Sequence, residues 1–252
     1  MNKISVIIPT LQKNLEVLIQ LVSTLEKDLY IDEILIINNS SKEINLNNNN
    51  KIKIINLNSN IYVYPAWNLG VTLAQNELIA LLNDDILLPY NFFTNFIHTL
   101  PNNFGVIGIS TKYIKSIEKC IENPKEEKPI IDKINYRCFG YGICMLLCKS
   151  SYIEIPDSIK IMYGDDWLFH KCKKQGKQNF CITGQTVYHI GSLTSAINTF
   201  NPIIKKDGHT YKKMIVKWYH RIFSFEELQY FYKFRLLGIT FKIKKKVSKG
   251  LL

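Results

Sequence analysis

Four short apolar runs in the first third of the chain predict strands that are buried on both faces, since no polar residue alternates with the apolar ones. The predicted strands are Ser5–Ile8, Glu33–Ile37, Ile52–Leu57 and Leu78–Leu82. A helical stripe from Leu15 to Leu25 lies between the first two, and a second helix is predicted to begin at Pro65. This alternation predicts an α/β fold with a mainly parallel, Rossmann-like central sheet and flanking helices.

The pattern becomes less regular after residue 105. A strand pair is predicted at Val106–Ser110 and Ile143–Cys148, and the charged segment Lys112–Lys133 between them is predicted to be a surface loop or lid. Gly164 begins a predicted helix that runs to Gln175, where Gly176 can end it. A last strand is predicted over Phe180–Val187.

Residues 201–252 lack the alternation of strands and helices that is predicted for the first half of the chain, and their apolar pattern predicts helices alone. Apolar residues at helical spacing are Ile215, Trp218, Tyr219, Ile222 and Phe223. Ser224–Glu227 resembles a capping box that would begin a further helix carrying Leu228, Phe231 and Tyr232. We therefore predict one catalytic domain over residues 1–200 and a basic, aromatic, helical extension over residues 201–252.

The positive charge is concentrated in this extension. The whole chain has a net charge of +11, and residues 201–252 hold 13 Lys or Arg against three acids. The first 200 residues are thus nearly neutral, which argues against a nucleic-acid-binding function for the core. Two interpretations of the extension remain open: it contacts an anionic membrane surface, which would bring a lipid-linked acceptor within reach, or it packs on the domain with its lysines in solvent.

The remaining composition predicts a packed cytoplasmic protein. No basic leader followed by an apolar run precedes Ser5, and Ile4–Ile8 is too short for a signal or an anchor. The six cysteines show no CxxC pair and no histidines at zinc-ligand spacing, so reduced and mostly buried thiols are expected.

Two pairs of adjacent acidic residues and one histidine are candidates for metal binding or catalysis. Asp84 and Asp85 end a buried strand, where α/β sheets bind ligands, and carboxylates suit Mg²⁺ or Mn²⁺. Asp165 and Asp166 begin a helix, where an ionised carboxylate is favoured and a general base can act. His189 follows the last strand. Taken alone, the first acidic pair is equally explained by a turn, and the second pair and His189 are better explained as a helix start and a structural histidine.

The order of the motifs resembles family 2 of the glycosyltransferases, which have the GT-A fold. The resemblance covers residues 3–195. Its six segments are Ser5–Thr10, Glu33–Ser40, Asn60–Gly70, Leu82–Asp85, Gly164–Trp167 and His189. Each is weak by itself, but six in this order are a strong signal.

The resemblance implies a role for each matching residue. The nucleotide-sugar would be bound by Pro9, Thr10, Asn38, Asn39, Asn68, Asn83 and Asp84. Asp85 and His189 would hold Mn²⁺ or Mg²⁺, with Asn83-Asp84-Asp85 as the DXD-type motif. Asp166 would be the catalytic base with Asp165 as its acidic neighbour, and Gly142 and Trp167 would lie on the acceptor side.

The sequence departs from the family at three amides and one aromatic residue. Asn38 or Asn39 stands where an acid near the base is common, Asn83 stands at the usual first acid of the metal motif, and Trp67 replaces a basic residue. An amide still pairs with a uracil or guanine edge, but base preference is left open.

The implied function is metal-dependent, inverting transfer of a sugar from a nucleotide-diphosphate donor, a UDP-sugar being favoured, to a glycan or lipid-linked acceptor. Such a reaction belongs to polysaccharide, glycolipid or glycoprotein glycan synthesis. A nucleotidyltransferase is one alternative, although Pro9–Asn14 contains no glycine for a triphosphate loop. The others are a non-catalytic carbohydrate- or nucleotide-binding protein on a transferase fold, and a nucleic-acid binder that depends on the extension.

Overall fold

The computed structural model describes residues 3–46, 49–118, 122–190, 198–215, 220, 222–228 and 230–245. The strands are β1 (Ile4–Thr10), β2 (Ile31–Asn38), β3 (Ile52–Asn56), β4 (Leu78–Leu82), β5 (Ile86–Leu87), β6 (Phe104–Ile109), β7 (Ile114–Ser116), β8 (Ile130–Ile134), β9 (Cys144–Cys148), β10 (Gln178–Thr183), β11 (Val187–His189), β12 (Phe223–Glu227), β13 (Phe231–Leu236) and β14 (Ile239–Lys244). The helices are α1 (Leu15–Lys27), α2 (Val63–Leu73), α3 (Gly164–Lys174) and α4 (Asn201–Ile215).

An eight-stranded sheet in the order β3-β2-β1-β4-β9-β6-β10-β8 forms the centre of the molecule. The first four of these strands are parallel, and β9 and β8 are the antiparallel members. The predicted α/β class with a mainly parallel sheet is confirmed. The pairing of the predicted strands near residues 106 and 145 is confirmed as well, since Ile107 pairs with Leu146.

Alternating side chains of the central strands serve two separate cores. Ile4, Val6 and Ile8 of β1 pack with the buried side of α1 on one face of the sheet, whereas Ile7 packs with α2 and α3 on the other. The predicted stripe of α1 is partly wrong, because Leu15 and Ile19 are exposed. The strands β1, β2 and β4 are thus covered on both faces, as their continuous apolar sequence requires. The prediction that the strand at Ile52–Leu57 is also buried on both faces is wrong, because β3 lies at the edge of the sheet and is only partly buried.

Two elements are shorter or more divided than the sequence predicted. The single strand predicted over Phe180–Val187 is two strands, β10 and β11, because Gly184 between them has φ +79°. The predicted loop or lid over Lys112–Lys133 holds β7 and β8 at its ends. The partner of β7 is the parallel strand β11 and the partner of β8 is the antiparallel strand β10; both partners lie far away in sequence and leave no local signal.

The C-terminal extension is only partly helical. Helix α4 ends at Ile215, and β12, β13 and β14 form a separate antiparallel sheet. The helix predicted from the capping box Ser224–Glu227 is therefore wrong, since those residues lie in β12. Trp218, Tyr219 and the basic residues after Lys245 lie outside the described residues. Within the described helices, none is long and apolar enough to cross a membrane.

Candidate active site

A cleft of about 750 Å³ lies at the carboxyl ends of β1, β2 and β4, where parallel sheets bind ligands. Most of the residues singled out from the sequence line it. These are Pro9, Thr10, Asn39, Asn83, Asp84, Asp85, Gly142, Asp165, Asp166 and His189. Segments up to about 180 residues apart in sequence are thus brought to one cavity by the order of the strands.

Thr10 and Asp84 join the ends of β1 and β4. The two strands are parallel and in register at Ile7 and Leu81, so the residues that follow them meet at the same edge of the sheet. Thr10 Oγ1 donates a hydrogen bond to Asp84 Oδ2. Burial raises the pKa of Asp84 to about 6; the Thr10 hydroxyl opposes this rise and the charge of Asp85 adds to it.

Asp85 and His189 lie side by side because of a small second sheet. β11 pairs antiparallel with β5 so that His189 is opposite Ile86, and the N–H of Ile190 donates to the carbonyl of Asp85. The result is a distance of 3.3 Å between Asp85 Oδ2 and His189 Nε2. Parallel pairing with β7 supports β11 from its other side.

The Asp85–His189 pair suits a divalent cation. Asp85 Oδ1 and His189 Nε2 are both buried without a hydrogen-bond partner, which is costly for polar atoms unless a ligand satisfies them. Carboxylate oxygen and imidazole nitrogen are donors that Mn²⁺ accepts readily, and Mg²⁺ accepts the oxygen. No group of three or more His, Cys, Asp or Glu at metal-binding distance occurs in the described part of the chain, so these two residues would need ligands from a bound substrate to complete a coordination sphere.

Arg137 holds both carboxylates of the second acidic pair. Its Nε lies 2.6 Å from Asp166 Oδ1, and its Nη1 lies 3.0 Å from Asp165 Oδ2. Both acids occupy the first turn of α3, where the helix dipole also favours negative charge. Burial and the neighbouring Asp165 charge together raise the pKa of Asp166 to about 6, and the guanidinium of Arg137 opposes that rise.

Gly142 connects the two acidic regions. A Cβ atom at this position would lie 2.7 Å from Asp165 Oδ2, so only glycine lets the 140–143 turn approach that carboxylate. The next residue, Ile143, accepts a hydrogen bond from the backbone N–H of Asn83. One short turn therefore contacts both the Asn83–Asp85 segment and the start of α3.

Helix α4 fixes the wall of the cleft that leads into α3. Asp207 is buried, and its Oδ2 accepts hydrogen bonds from three successive backbone N–H groups at residues 160, 161 and 162. Tyr163, which directly precedes α3, has φ +77°, and its ring stacks on the ring of Tyr211 in α4.

The backbone of a second tyrosine, Tyr62, is strained. This residue directly precedes α2 and has φ 71° and ψ 173°, a region almost reserved for glycine.

Three of the residues assigned from the sequence do not line the cleft. The Asn38 side chain is internal and bonds Lys42 O and Asn56 Oδ1. Asn68 braces the 152–155 segment, with its Oδ1 accepting from the Ile155 N–H. Trp167 is buried, and its Nε1 donates to a backbone carbonyl. Each of these three side chains therefore makes hydrogen bonds to other parts of the protein.

Among the cleft residues that were not predicted from the sequence are Tyr62, Arg137, Phe139 and Tyr163. One signal could have identified Arg137: it is the only arginine in the first 220 residues of a lysine-rich chain. Arginine is preferred where one planar group must bind two carboxylates. The three aromatic residues carry no such signal, because their place depends on loop conformation.

Solved structures of low sequence identity share this architecture. GalNAc-T7, solved with UDP, GalNAc and Mn²⁺, is 12% identical and superposes with a TM-score of 0.62 over 87% of this chain and 49% of that one. S. aureus TarS 1-349 is 15% identical, with a TM-score of 0.58 over 87% of this chain and 68% of that one. The same TarS fragment with UDP gives 13% identity and a TM-score of 0.56. This chain spans about half the length of the GalNAc-T7 chain.

The architecture of this chain is therefore the GT-A fold of these solved glycosyltransferases. The model of the family described as "Glycosyl transferase family 2" matches residues 5–154, which is more than half of the sequence. The chain belongs to glycosyl transferase family 2. A search of curated protein sequences found no match.

Proposed function

We propose that the chain transfers a sugar from a nucleoside-diphosphate donor, a UDP-sugar being favoured, to an acceptor hydroxyl with inversion at the anomeric carbon. The observation that carries this proposal is the presence of two separate acidic centres in one cleft, Asp85 with His189 and Asp166 with Arg137. The first suits a metal-bound diphosphate and the second a proton acceptor. The UDP present in the GalNAc-T7 and TarS structures supports the choice of nucleotide.

The donor would be held at the strand ends. Asp85 and His189 would bind Mn²⁺ or Mg²⁺, which would neutralise the diphosphate and its growing charge as the sugar leaves. Pro9, Thr10 and Asn39 line the part of the cleft next to β1 and β2 and would contact the nucleoside. The Asn39 carboxamide oxygen accepts from the Ile61 N–H, so its NH₂ group remains available to a base edge.

Asp166 would act as the general base. It accepts the proton of the acceptor hydroxyl while that oxygen forms a bond to the anomeric carbon, and the bond to the nucleoside diphosphate breaks with its electron pair on the leaving oxygen. Attack from the face opposite the leaving group inverts the anomeric centre. Arg137 favours the ionised form that can accept this proton, and Gly142 lets the 140–143 turn lie against Asp165 on the proposed acceptor side.

The acceptor would be a glycan or a lipid-linked glycan. Two features support an extended or amphipathic acceptor: the exposed ring of Phe139 at the cleft, and Tyr62 and Phe200 in edge contact at 6.2 Å on its wall. Aromatic faces commonly pack against sugar rings and lipid chains. The basic extension supports a peripheral contact with an anionic membrane, where a lipid-linked acceptor would be reached.

The direct test is sugar release and transfer from UDP-, GDP- and dTDP-sugars, with Mn²⁺ or chelator, for the wild type, Asp85→Ala and Asp166→Ala. We expect turnover of one donor that requires metal, with UDP-sugars preferred, and loss of that turnover in both variants. The variants should differ in one respect: Asp166→Ala should retain donor binding and Asp85→Ala should not. If the wild type binds a nucleotide-sugar but turns none over, a binding protein on a transferase fold replaces this proposal.

A further inference from the structure

The C-terminal sheet of β12, β13 and β14 separates apolar from charged side chains over most of its surface; the exceptions are Glu227 on the mainly apolar side and Phe231 on the mainly polar side. Leu236 lies between Phe223 and Ile239, and the next row on the same side places Phe234 between Phe225 and Phe241. Successive side chains of a strand point to opposite faces, so these rows form one surface, which we call the apolar face.

The other side of the sheet is polar. Arg235 lies between Ser224 and Thr240, and Lys233 lies between Glu226 and Lys242. A sheet with one apolar and one polar face normally buries the apolar one. Here six side chains of the apolar face are between 44% and 62% exposed. These are Phe223, Phe225, Leu236, Ile239, Phe241 and Ile243.

We propose that the apolar face packs against the same face of a second copy of this chain, so that the two C-terminal sheets form a sandwich across a two-fold axis. A contiguous apolar surface of this kind marks an interaction site in soluble proteins. Face-to-face packing of two sheets is a standard arrangement for burying such rows.

The distribution of charge on this sheet favours a second copy, and not an anionic membrane, as the partner of the apolar face; any membrane contact of the extension would use its other basic residues. The charged residues at the end of the apolar face, Glu227 and Lys245, pair with each other at 2.8 Å. Lys233, Arg235 and Lys242 project from the opposite side, away from anything that covers the apolar face. An uncharged surface complements itself, whereas attraction to anionic lipid needs cations next to the apolar contact.

The area also suits a dimer. Aromatic side chains cover about 150–250 Å² each, so half-exposure of six large side chains leaves roughly 600 Å² per copy. This is close to the ~800 Å² per partner of a stable interface.

The end of the sheet that contains Lys245 is held near the catalytic cleft. Lys245 Nζ lies 4.0 Å from the ring centre of Tyr136, and Tyr136 directly precedes Arg137.

The experiment is sedimentation of the full chain over a range of concentrations. The wild type should sediment with twice the mass of one chain. Phe225→Thr with Phe241→Thr should halve that mass, since threonine keeps the strand propensity while removing the apolar contact. Arg235→Thr with Lys242→Thr changes two residues on the polar face of the same sheet and should leave the dimer intact.

Thermal melting and UDP binding verify that each variant is folded, and the single variant Phe225→Thr replaces the double one if the latter fails to fold. A wild type that is monomeric at every concentration overturns the proposal, as does a dimer that survives loss of both phenylalanines. A monomer that sediments with phosphatidylserine vesicles through Phe225 and Phe241 assigns the face to a membrane instead. These outcomes are independent of whether any sugar is transferred.

Discussion

Arg137 Nε lies 2.6 Å from Asp166 Oδ1, which ties the proposed base to a cation from a loop 29 residues earlier in the chain. The same guanidinium reaches Asp165, so it balances two adjacent carboxylates that would otherwise repel each other. This arrangement allows a half-buried acid to remain ionised near neutral pH.

Asp166→Asn should reduce kcat by about 10²–10⁴-fold, the usual contribution of general-base catalysis. The amide keeps the shape of the side chain and cannot accept the proton. Donor affinity, measured by calorimetry with a UDP-sugar, should change little. Asp157→Asn, an exposed acid outside the cleft, serves as the control. Transfer by Asp166→Asn at the wild-type rate would assign the base to another residue.

The pH profile should report the pKa of Asp166. That pKa is raised to about 6, so the reactive ionised form is lost as the pH falls, and kcat/KM should decline below about pH 6. Because Arg137 lowers this pKa, Arg137→Gln should move the acidic limb to higher pH, whereas Arg137→Lys should restore part of the difference. An unmoved limb in Arg137→Gln would mean that a different group titrates.

Asp85→Asn and His189→Gln should each weaken metal-dependent donor binding. Removal of even an outer partner of a metal site costs about 10–100-fold in affinity, and a direct ligand should cost at least as much. UDP titrations with Mn²⁺ and with chelator separate the two states. The matched control is His209→Gln, an exposed imidazole on α4. Equal UDP affinity with and without Mn²⁺ in the wild type would exclude the metal role of this pair.

Gly142→Ala should lower kcat and should leave the melting temperature nearly unchanged. The new methyl group would lie within 2.9 Å of three Asp165 atoms and would displace that carboxylate from Arg137. A displacement near 1 Å in an active site can cost about 10²-fold in rate. Melting temperature and donor binding should stay near the wild-type values. Full activity in this variant would show that Asp165 can move without consequence.

Asp207→Ala should reduce both stability and activity. It leaves three backbone N–H groups of the cleft wall without their acceptor, and each buried unsatisfied donor costs about 1–3 kcal/mol. Lys206→Ala, an exposed change on the same helix, should have little effect. Melting temperature and the KM for the donor measure the two results. An unchanged KM would show that the 160–162 segment does not shape the donor site.

The sequence predicts the strands and helices of the first half well, because a buried parallel strand has an apolar sequence that needs no partner to be identified. The position of Thr10 at the end of β1 and of Asp85 shortly after β4 also follows from the sequence, since ligands bind at that edge of the sheet. The pairing of His189 with Ile86 cannot be predicted in this way, because it depends on a register between strands about a hundred residues apart.

The sequence of the C-terminal sheet predicts a helix because its apolar residues fit both the helical and the strand period over a short window. The turn that identifies a β-hairpin lies at Leu237 and Gly238. Both residues have positive φ, as the tight turn of a β-hairpin requires. Glycine after a strand-like run, followed by Ile239, is the corresponding pattern in the sequence. Arg137 was missed for another reason, since its role depends on a contact in space.

The Asp85–His189 pair also has a consequence for how the protein is made. The two residues are separated by about a hundred positions, which corresponds to roughly 5–20 s of synthesis on the ribosome. Until β11 has emerged and paired with β5, a nascent chain presents Asp85 without its imidazole partner. Occupancy of this pair by an ion would therefore have to follow the pairing of β11 with β5, and a chain that stops before β11 would lack the imidazole half of the site.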